Sequence, residues 1–285
     1  MPEPVVYLNG EFLPKPDATL SVDERGVLFA DGVYEVVRYF HGQPFTLEQH
    51  TDRLARSLDG IDLCFDARSL GGISDQLVAR NALQEARVYW QVSRGAATRS
   101  HIIDPATAPT VYLTAEPAEP LLPDAPLPTI TAITVPDDRW TNCWIKSLML
   151  VPNTLAKTKA HTKGAGEAIF IRDGRVTEGS STNCFAVFDG ELYTHPADRY
   201  ILEGITRNVV IDLARRLGIP VHEQAFSAID LPAADACFIT GTGTLLAAIT
   251  AIDGNAIGDG TTNAITRRLW TAFKDEVHKQ ARPTA

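Results

Sequence analysis

The chain holds only seven lysines, Lys15, Lys146, Lys157, Lys159, Lys163, Lys274 and Lys279, and Lys146 stands apart from the rest. Trp144-Ile145-Lys146-Ser147-Leu148-Met149-Leu150 surrounds it with apolar residues in what reads as a strand or its end. Desolvation there disfavours the ammonium form and leaves an amine that can attack a carbonyl. An edge-strand lysine pointing outward between buried neighbours is the other reading that local sequence allows. The remaining six sit among polar neighbours, where a solvated surface amine is expected. A second chemical candidate is Glu178 in Val176-Thr177-Glu178-Gly179-Ser180-Ser181, a carboxylate at the end of a strand whose Gly-Ser-Ser loop can carry it into a cleft. By itself this is also an ordinary hairpin edge.

Several further groups stand out locally. Gly204-Ile205-Thr206-Arg207 opens a helix. Gly241-Thr242-Gly243-Thr244 is a turn between two apolar runs, lacking the third Gly or the Lys that a nucleotide loop needs. Arg53 reads locally as a helix arginine paired with a nearby acid, and Arg99 and His101 as members of a turn-rich polar loop. Cys64, Cys143, Cys184 and Cys237 stand far apart and read as buried thiols of a reducing, cytoplasmic compartment. Neither they nor the seven histidines show metal-ligand spacing, so no metal site is expected.

These residues must be held by a mixture of strands and helices. Val5 to Leu8, Gly32 to Tyr39, Arg87 to Ser93 and Thr110 to Thr114 read as strands. Thr46, with Gln49 three residues on, has the form of a capping box opening a helix whose Leu47, Leu54, Leu58 and Ile61 share a face. Asp173-Gly174 and Asp189-Gly190 sit between apolar runs as hairpin turns. Two later helices are expected, about Thr206 to Leu217, ending at Gly218 with Pro220 beyond, and Ala264 to Lys279. The apolar run from Ala236 to Ile252 is interrupted by Thr240 to Thr244 and reads as strand, loop, strand, not a membrane span. Hairpins and helices in both halves argue for two α/β domains, α+β-like in character, over a doubly wound nucleotide fold. The proline-rich stretch sets the boundary: a small N-terminal domain over residues 1–118, a linker at 119–128 and a larger domain over 129–285.

At 285 residues, 45% hydrophobic and 21% charged, the chain can bury a substantial core. Its net charge of −9 with no basic block argues against nucleic acid or an anionic membrane as partner, and no secretory signal is visible at the N-terminus.

Taken together, six stretches resemble the class IV, fold-type-IV, pyridoxal-phosphate aminotransferases, and most closely their D-amino acid aminotransferases. They are Asp31-Gly32-Val33-Tyr34-Glu35-Val36-Val37, His50-Thr51-Asp52-Arg53-Leu54, Arg99-Ser100-His101, Ile145-Lys146-Ser147-Leu148, Thr177-Glu178-Gly179-Ser180-Ser181-Thr182-Asn183 and Leu202-Glu203-Gly204-Ile205-Thr206-Arg207, in the family's order and over nearly the whole chain. The resemblance implies pyridoxal 5'-phosphate as cofactor, bound covalently by Lys146, which also shuttles the substrate proton. Glu178 would face the pyridine nitrogen, and Arg53, the amides of Ile205 and Thr206, Gly241 and Thr242 would cradle the phosphate. Tyr34, Arg99 and His101 would hold the substrate carboxylate, the last two entering the site of a second subunit. The resemblance thus implies a homodimer acting on amino acids and 2-oxo acids. Branched-chain aminotransferases, (R)-amine transaminases and aminodeoxychorismate lyase share much of this pattern. The Arg-x-His pair, and Tyr89-Trp90-Gln91 where branched-chain enzymes carry an Arg, favour D-amino acids.

Overall fold

The computed structural model describes residues 3–281. The chain forms two compact units that are not contiguous in sequence. One comprises the described residues up to Leu121, Ile145–Met149 and those from Val277 onward; the other comprises Leu122–Trp144 and Leu150–Glu276.

In the first unit the chain runs β1 (Val5–Leu8), β2 (Glu11–Pro14), α1 (Arg25–Phe29), β3 (Gly32–Phe40), β4 (Gln43–Pro44), α2 (Leu47–Asp59), α3 (Leu70–Arg80), β5 (Ala86–Ser93) and β6 (Thr110–Pro117). The strands form one antiparallel sheet in the order β2-β1-β6-β5-β3-β4. Val37, Val88, Trp90 and Leu113 point from it into a core closed by Leu54 and Leu58 of α2 and Leu70 and Leu77 of α3. Each such leucine, taken out of water, contributes about 1.5–3 kcal/mol. The helical periodicity of α2 is as the sequence indicates, but its inward face also carries His50, Arg53 and Ser57, all buried. Buried polar groups on a core face are uncommon without partners, and theirs lie partly on β3.

Ile145–Met149 joins this unit through backbone bonds to β3. The amide of Tyr34 donates to the Lys146 carbonyl at 3.0 Å, that of Leu148 to Gly32 at 3.0 Å, and Val33 bridges Ser147. Lys146 thus stands beside a strand and outside any regular one.

The second unit runs β7 (Thr129–Pro136), α4 (Val151–Thr162), β8 (Glu167–Arg172), β9 (Arg175–Gly179), β10 (Asn183–Phe188), β11 (Glu191–Thr194), α5 (Ile205–Arg216), β12 (Val221–Glu223), β13 (Ala236–Gly241), β14 (Leu245–Ile252), β15 (Asn255–Ala256) and α6 (Ala264–Gln280), the last continuing into the first unit. Its mixed sheet has the order β12-β11-β10-β13-β14-β7-β8-β9, with β15 on β14. Ala156 and Ala160 of α4 pack on Ile133, Val135, Ala168 and Phe170, while Cys184, Ala186, Cys237, Ile239, Ala247 and Ile249 form part of a second cluster. Both Asp-Gly turns take left-handed conformations, with φ of 50° and 72° at Asp173 and Gly174 and 50° and 80° at Asp189 and Gly190. Mirror-image turns of this kind match the twist of the flanking strands.

Two local expectations need correction, and two helices went unforeseen. Thr46 takes a left-handed φ of 55°, and its hydroxyl donates to the Phe45 carbonyl at 2.7 Å, so no capping box forms. Cys64 is exposed, unlike the three other cysteines. Helices α3 and α4 escaped the sequence reading, since neither carries a strong apolar stripe between clear caps. Among the described residues no helix is long and apolar enough to cross a membrane, and no three potential metal-ligating side chains converge.

Candidate active site

In the first unit, Lys146 is half-buried and its amine lies 4.3 Å from the centre of the Tyr34 ring. No carboxylate pairs with it among the described residues. Its backbone is fixed from two sides, the carbonyl by Tyr34 and the amide by the Ser57 hydroxyl at 3.1 Å. Tyr34 stacks on Tyr89 with centroids 5.6 Å apart, and the hydroxyls of Tyr89 and Tyr112 both donate to Gln91 Oε1, at 2.8 and 3.0 Å. One face of the β3-β5-β6 sheet therefore presents a row of aromatic rings beside the lysine.

Arg53 is 4% exposed and bound edge-on to Glu35, Nε to Oε1 at 2.7 Å and Nη2 to Oε2 at 2.8 Å, with His50 Nδ1 2.8 Å from the same carboxylate. The sequence offered a solvated arginine or a phosphate ligand; the structure shows an arginine oriented by a buried acid. Burial pushes Glu35 upward, but the charge and hydrogen bonds of Arg53, then His50, outweigh it and hold the carboxyl well below its ordinary range. His50 is pushed down by burial, only partly offset by Glu35.

That cluster fixes the sign of an acid response. Below the ordinary histidine value of 6.5 the unfolded chain takes up a proton that folded His50 refuses, and below about 4.5 unfolded Glu35 does the same. Stability supplied by these groups is present above those values and drains away as pH falls. The melting temperature is expected to decline from pH 6.5 downward and more steeply below 4.5, with His50→Gln removing the first limb. A melting temperature that rose between pH 7 and 5 would contradict this.

Arg99 and His101 lie exposed on the loop between β5 and β6, gathered around Phe29 of α1: the Arg99 guanidinium carbon is 5.3 Å from that ring centre and the His101 ring 5.5 Å, edge-on.

In the second unit, Glu178 owes its direction to a bulge. Ile169 pairs with Gly179 and Ile171 with Val176, so Thr177 and Glu178 of β9 face Phe170 alone. The extra residue bends the strand and re-aims its side chains. The carboxylate is buried and accepts from Asn183 Nδ2 at 3.0 Å, from the Leu202 amide at 3.2 and 3.1 Å to its two oxygens, and from Arg139 Nη1 at 2.5 Å. Burial pushes its pKa up, and Arg139 and the Leu202 amide pull part of the way back. Three donors thus make four contacts to the two oxygens, the Leu202 amide being shared between them, and fix the direction of the carboxylate.

Gly204 makes the arrangement possible. A Cβ there would stand 1.9 Å from Asn183 Oδ1, expelling the amide that bonds both Glu178 and the Leu202 carbonyl. The next loop is held by buried Glu167, which accepts from the Ser180 hydroxyl and, at 3.0 Å, from that of Thr182, with Lys157 at 3.4 Å. Beyond Gly204, the first turn of α5 has no side-chain cap, although Ile205 and Thr206 are buried. Gly241 ends β13 and Thr242 follows it, beside the fully buried Thr240 hydroxyl, which has no hydrogen-bond partner among the described residues. Uncapped amides, an unsatisfied hydroxyl and an anchored, buried carboxylate fit a ligand bearing an anion and a protonated ring nitrogen.

Sequence reasoning did not give roles to Glu35 and His50, although both lay in quoted stretches, and it passed over Arg139 and Asp137 altogether. Only the density of charge in Asp137-Asp138-Arg139 hinted at them, and any surface loop can show that.

Comparison with known proteins agrees with this geometry. The family model described as amino-transferase class IV matches residues 32–252. A D-alanine aminotransferase from Listeria innocua is 43% identical over 276 residues, covering 95% of this chain and 96% of the relative. One from Staphylococcus haemolyticus is 37% identical over 279 residues, covering 97% and 99%. Among solved structures, a branched-chain amino acid aminotransferase from Escherichia coli superposes with a TM-score of 0.89 at 25% identity, covering 99% of this chain and 97% of that one. A branched-chain amino acid aminotransferase from Thermoproteus uzoniensis, solved with norvaline, gives 0.85 at 27% identity, covering 97% and 96%. Another branched-chain enzyme, solved with pyridoxamine 5'-phosphate, gives 0.88 at 27% identity, covering 99% and 96%. The architecture is that of the fold-type-IV aminotransferases, and the chain belongs to the class IV amino-transferase family.

Proposed function

We infer that the protein is a pyridoxal-phosphate-dependent transaminase that moves the amino group of D-amino acids such as D-alanine onto 2-oxo acids such as 2-oxoglutarate. The observation carrying this is the half-buried Lys146 amine set over the Tyr34 ring with no carboxylate to neutralise it, in a chain alike over nearly its full length to D-alanine aminotransferases. An amine so placed is available for chemistry, where an ion-paired lysine is not.

The residues divide the work. Lys146 would hold the cofactor through its aldehyde and, once the substrate amine has taken its place there, its freed Nζ would carry the proton between the substrate α-carbon and the cofactor C4' carbon, in opposite senses in the two half-reactions. The cofactor, when bound, supplies an electron sink that makes the α-proton removable. Glu178 keeps the proton on the ring nitrogen. Arg53, oriented by Glu35, together with the amides of Ile205 and Thr206, Gly241 and the Thr242 hydroxyl, receives the phosphate. Tyr34, Arg99 and His101 bind the substrate carboxylate and decide which face of the α-carbon meets Lys146. The exposure of Arg99 and His101 suits residues that complete the site of a second copy in a homodimer. Residues 119–128 serve as the linker between the two α/β domains, and the enzyme works in the cytoplasm.

Offered D-alanine, L-leucine, (R)-phenylethylamine and aminodeoxychorismate, the enzyme is expected to prefer D-alanine in kcat/KM by at least about 100-fold over the others. A preference for L-leucine would assign it to branched-chain transamination, the activity named for its structural neighbours. Arg99→Ala is expected to raise KM for D-alanine about 10- to 100-fold while cofactor content stays at wild-type level. Loss of cofactor with unchanged KM would remove Arg99 from the substrate site.

A further inference from the structure

Glu178 is the near end of a chain of buried charges. Asp137, just beyond β7, has no exposed side-chain surface and grips the other edge of Arg139, Nε to Oδ1 at 2.8 Å and Nη2 to Oδ2 at 2.9 Å. Arg172 of β8 closes on Asp137 from behind, at 3.0 Å to Oδ1 and 3.3 Å to Oδ2, and donates to the Arg139 carbonyl at 2.8 Å. The Thr177 hydroxyl adds a bond to Asp137 at 3.0 Å. The Arg139 guanidinium carbon lies 4.3 Å from the centre of the Phe170 ring, the residue opposite the bulge that aims Glu178. Two acids and two arginines make a cluster of zero net charge. A guanidinium held by Asp137 along one edge, with Phe170 close by, has one direction left for Nη1, and that direction ends on Glu178.

We propose that Arg139, clamped by Asp137, is the positioning residue of the cofactor site, fixing both the direction and the negative charge of Glu178. The proposal rests on the reading that Glu178 faces the ring nitrogen of the cofactor, and adds what makes that carboxylate able to do so. The other groups around it are Asn183, the Leu202 amide, Asp137, Arg172 and Cys143, whose thiol, pushed up to about 11 by burial, stays neutral at ordinary pH. None of these can replace a cation in contact. Without Arg139, burial and the Asp137 charge raise the proton affinity of Glu178 against the Leu202 amide and Asn183 alone, and a protonated carboxyl would set an O–H where an N–H needs an acceptor.

The test uses the holoenzyme, four single variants, Arg139→Gln, Arg139→Lys, Asp137→Asn and Glu178→Gln, and the double variant that joins Arg139→Gln to Glu178→Gln, each first checked for a cooperative melt. The Glu178 carboxyl is titrated by infrared difference spectroscopy against Glu178→Gln. In parallel, the pH dependence of the cofactor's visible band and cofactor retention on dialysis are measured. Arg139→Gln is expected to raise the proton affinity of Glu178 at least tenfold and to weaken cofactor retention. Arg139→Lys, which keeps the charge but not the clamped geometry, should raise that affinity less, which keeps the test alive if Arg139→Gln does not fold. Asp137→Asn loosens the clamp but also removes a negative charge that raises Glu178, so it is read by cofactor retention, which should fall. In a Glu178→Gln background the Arg139 substitution should have no further effect on the visible band. An unchanged Glu178 titration in folded Arg139→Gln or, where that does not fold, in Arg139→Lys overturns the proposal. A shifted titration with a visible band and retention indifferent to every variant overturns the premise that Glu178 faces the cofactor, a different and distinguishable failure.

Discussion

Lys146→Ala is expected to leave a folded protein that has lost at least about 10⁴-fold in transamination turnover. The size follows from two duties lost together, since the same nitrogen anchors the cofactor and moves the substrate proton. Folding should survive because the structural connections of this segment are made by its backbone: the Lys146 carbonyl and amide, Leu148 and Ser147 tie it to β3 and α2, while the side chain touches the face of Tyr34. The check is a single-turnover assay beside a thermal melt. Activity within tenfold of wild type would sink the assignment, and an unfolded product would mean that the side chain also carries structural weight.

Glu178→Gln should cost roughly 10²–10³-fold in turnover while leaving substrate affinity within a few-fold of wild type. Glutamine keeps the volume and can still accept from Asn183 and the Leu202 amide, so the bulge and loop should persist. What it loses is the negative charge that holds a proton on a heterocyclic nitrogen. It also leaves Arg139 and Arg172 facing Asp137 alone, an excess of one buried positive charge. A modest loss of stability should accompany the kinetic effect, visible in the same melts. Should kcat stay near wild type while KM rises, Glu178 would be a substrate ligand and no partner of the cofactor ring.

What the sequence discloses and what it hides follow from the range of the interactions. Strands β3, β5, β6 and β8 to β11 and helices α2, α5 and α6 were legible because periodicity and Asp-Gly turns are local signals. Lys146 drew notice as a lysine amid Trp, Ile, Leu and Met, and Glu178 as a carboxylate before a Gly-Ser-Ser loop, but an outward edge lysine and an ordinary hairpin edge read as well locally; only the six stretches in the family's order gave the two residues their expected roles. The partners that tune these groups were not. Glu35 meets Arg53 across 18 positions and Arg139 meets Glu178 across 39, pairings that depend on sheet register and on a one-residue bulge. The local sequence around Arg53 even suggested a solvated ion pair; the pair is there, but dry, which changes its meaning from surface decoration to orientation of a guanidinium. Thr46 erred the other way, a good local cap pattern overridden by the left-handed turn that brings the chain from β4 into α2.

The central claim is that one amine, that of Lys146, carries the cofactor. The most direct measurement is to add borohydride to the holoenzyme, make the lysine–cofactor bond permanent, digest the protein and map the labelled peptide by mass. The label is expected on the peptide containing Lys146, at near-stoichiometric yield, with prior addition of D-alanine preventing it by drawing the amine off the cofactor. Label on any of the other six lysines, or none at all in a protein that retains its visible band, would contradict the account.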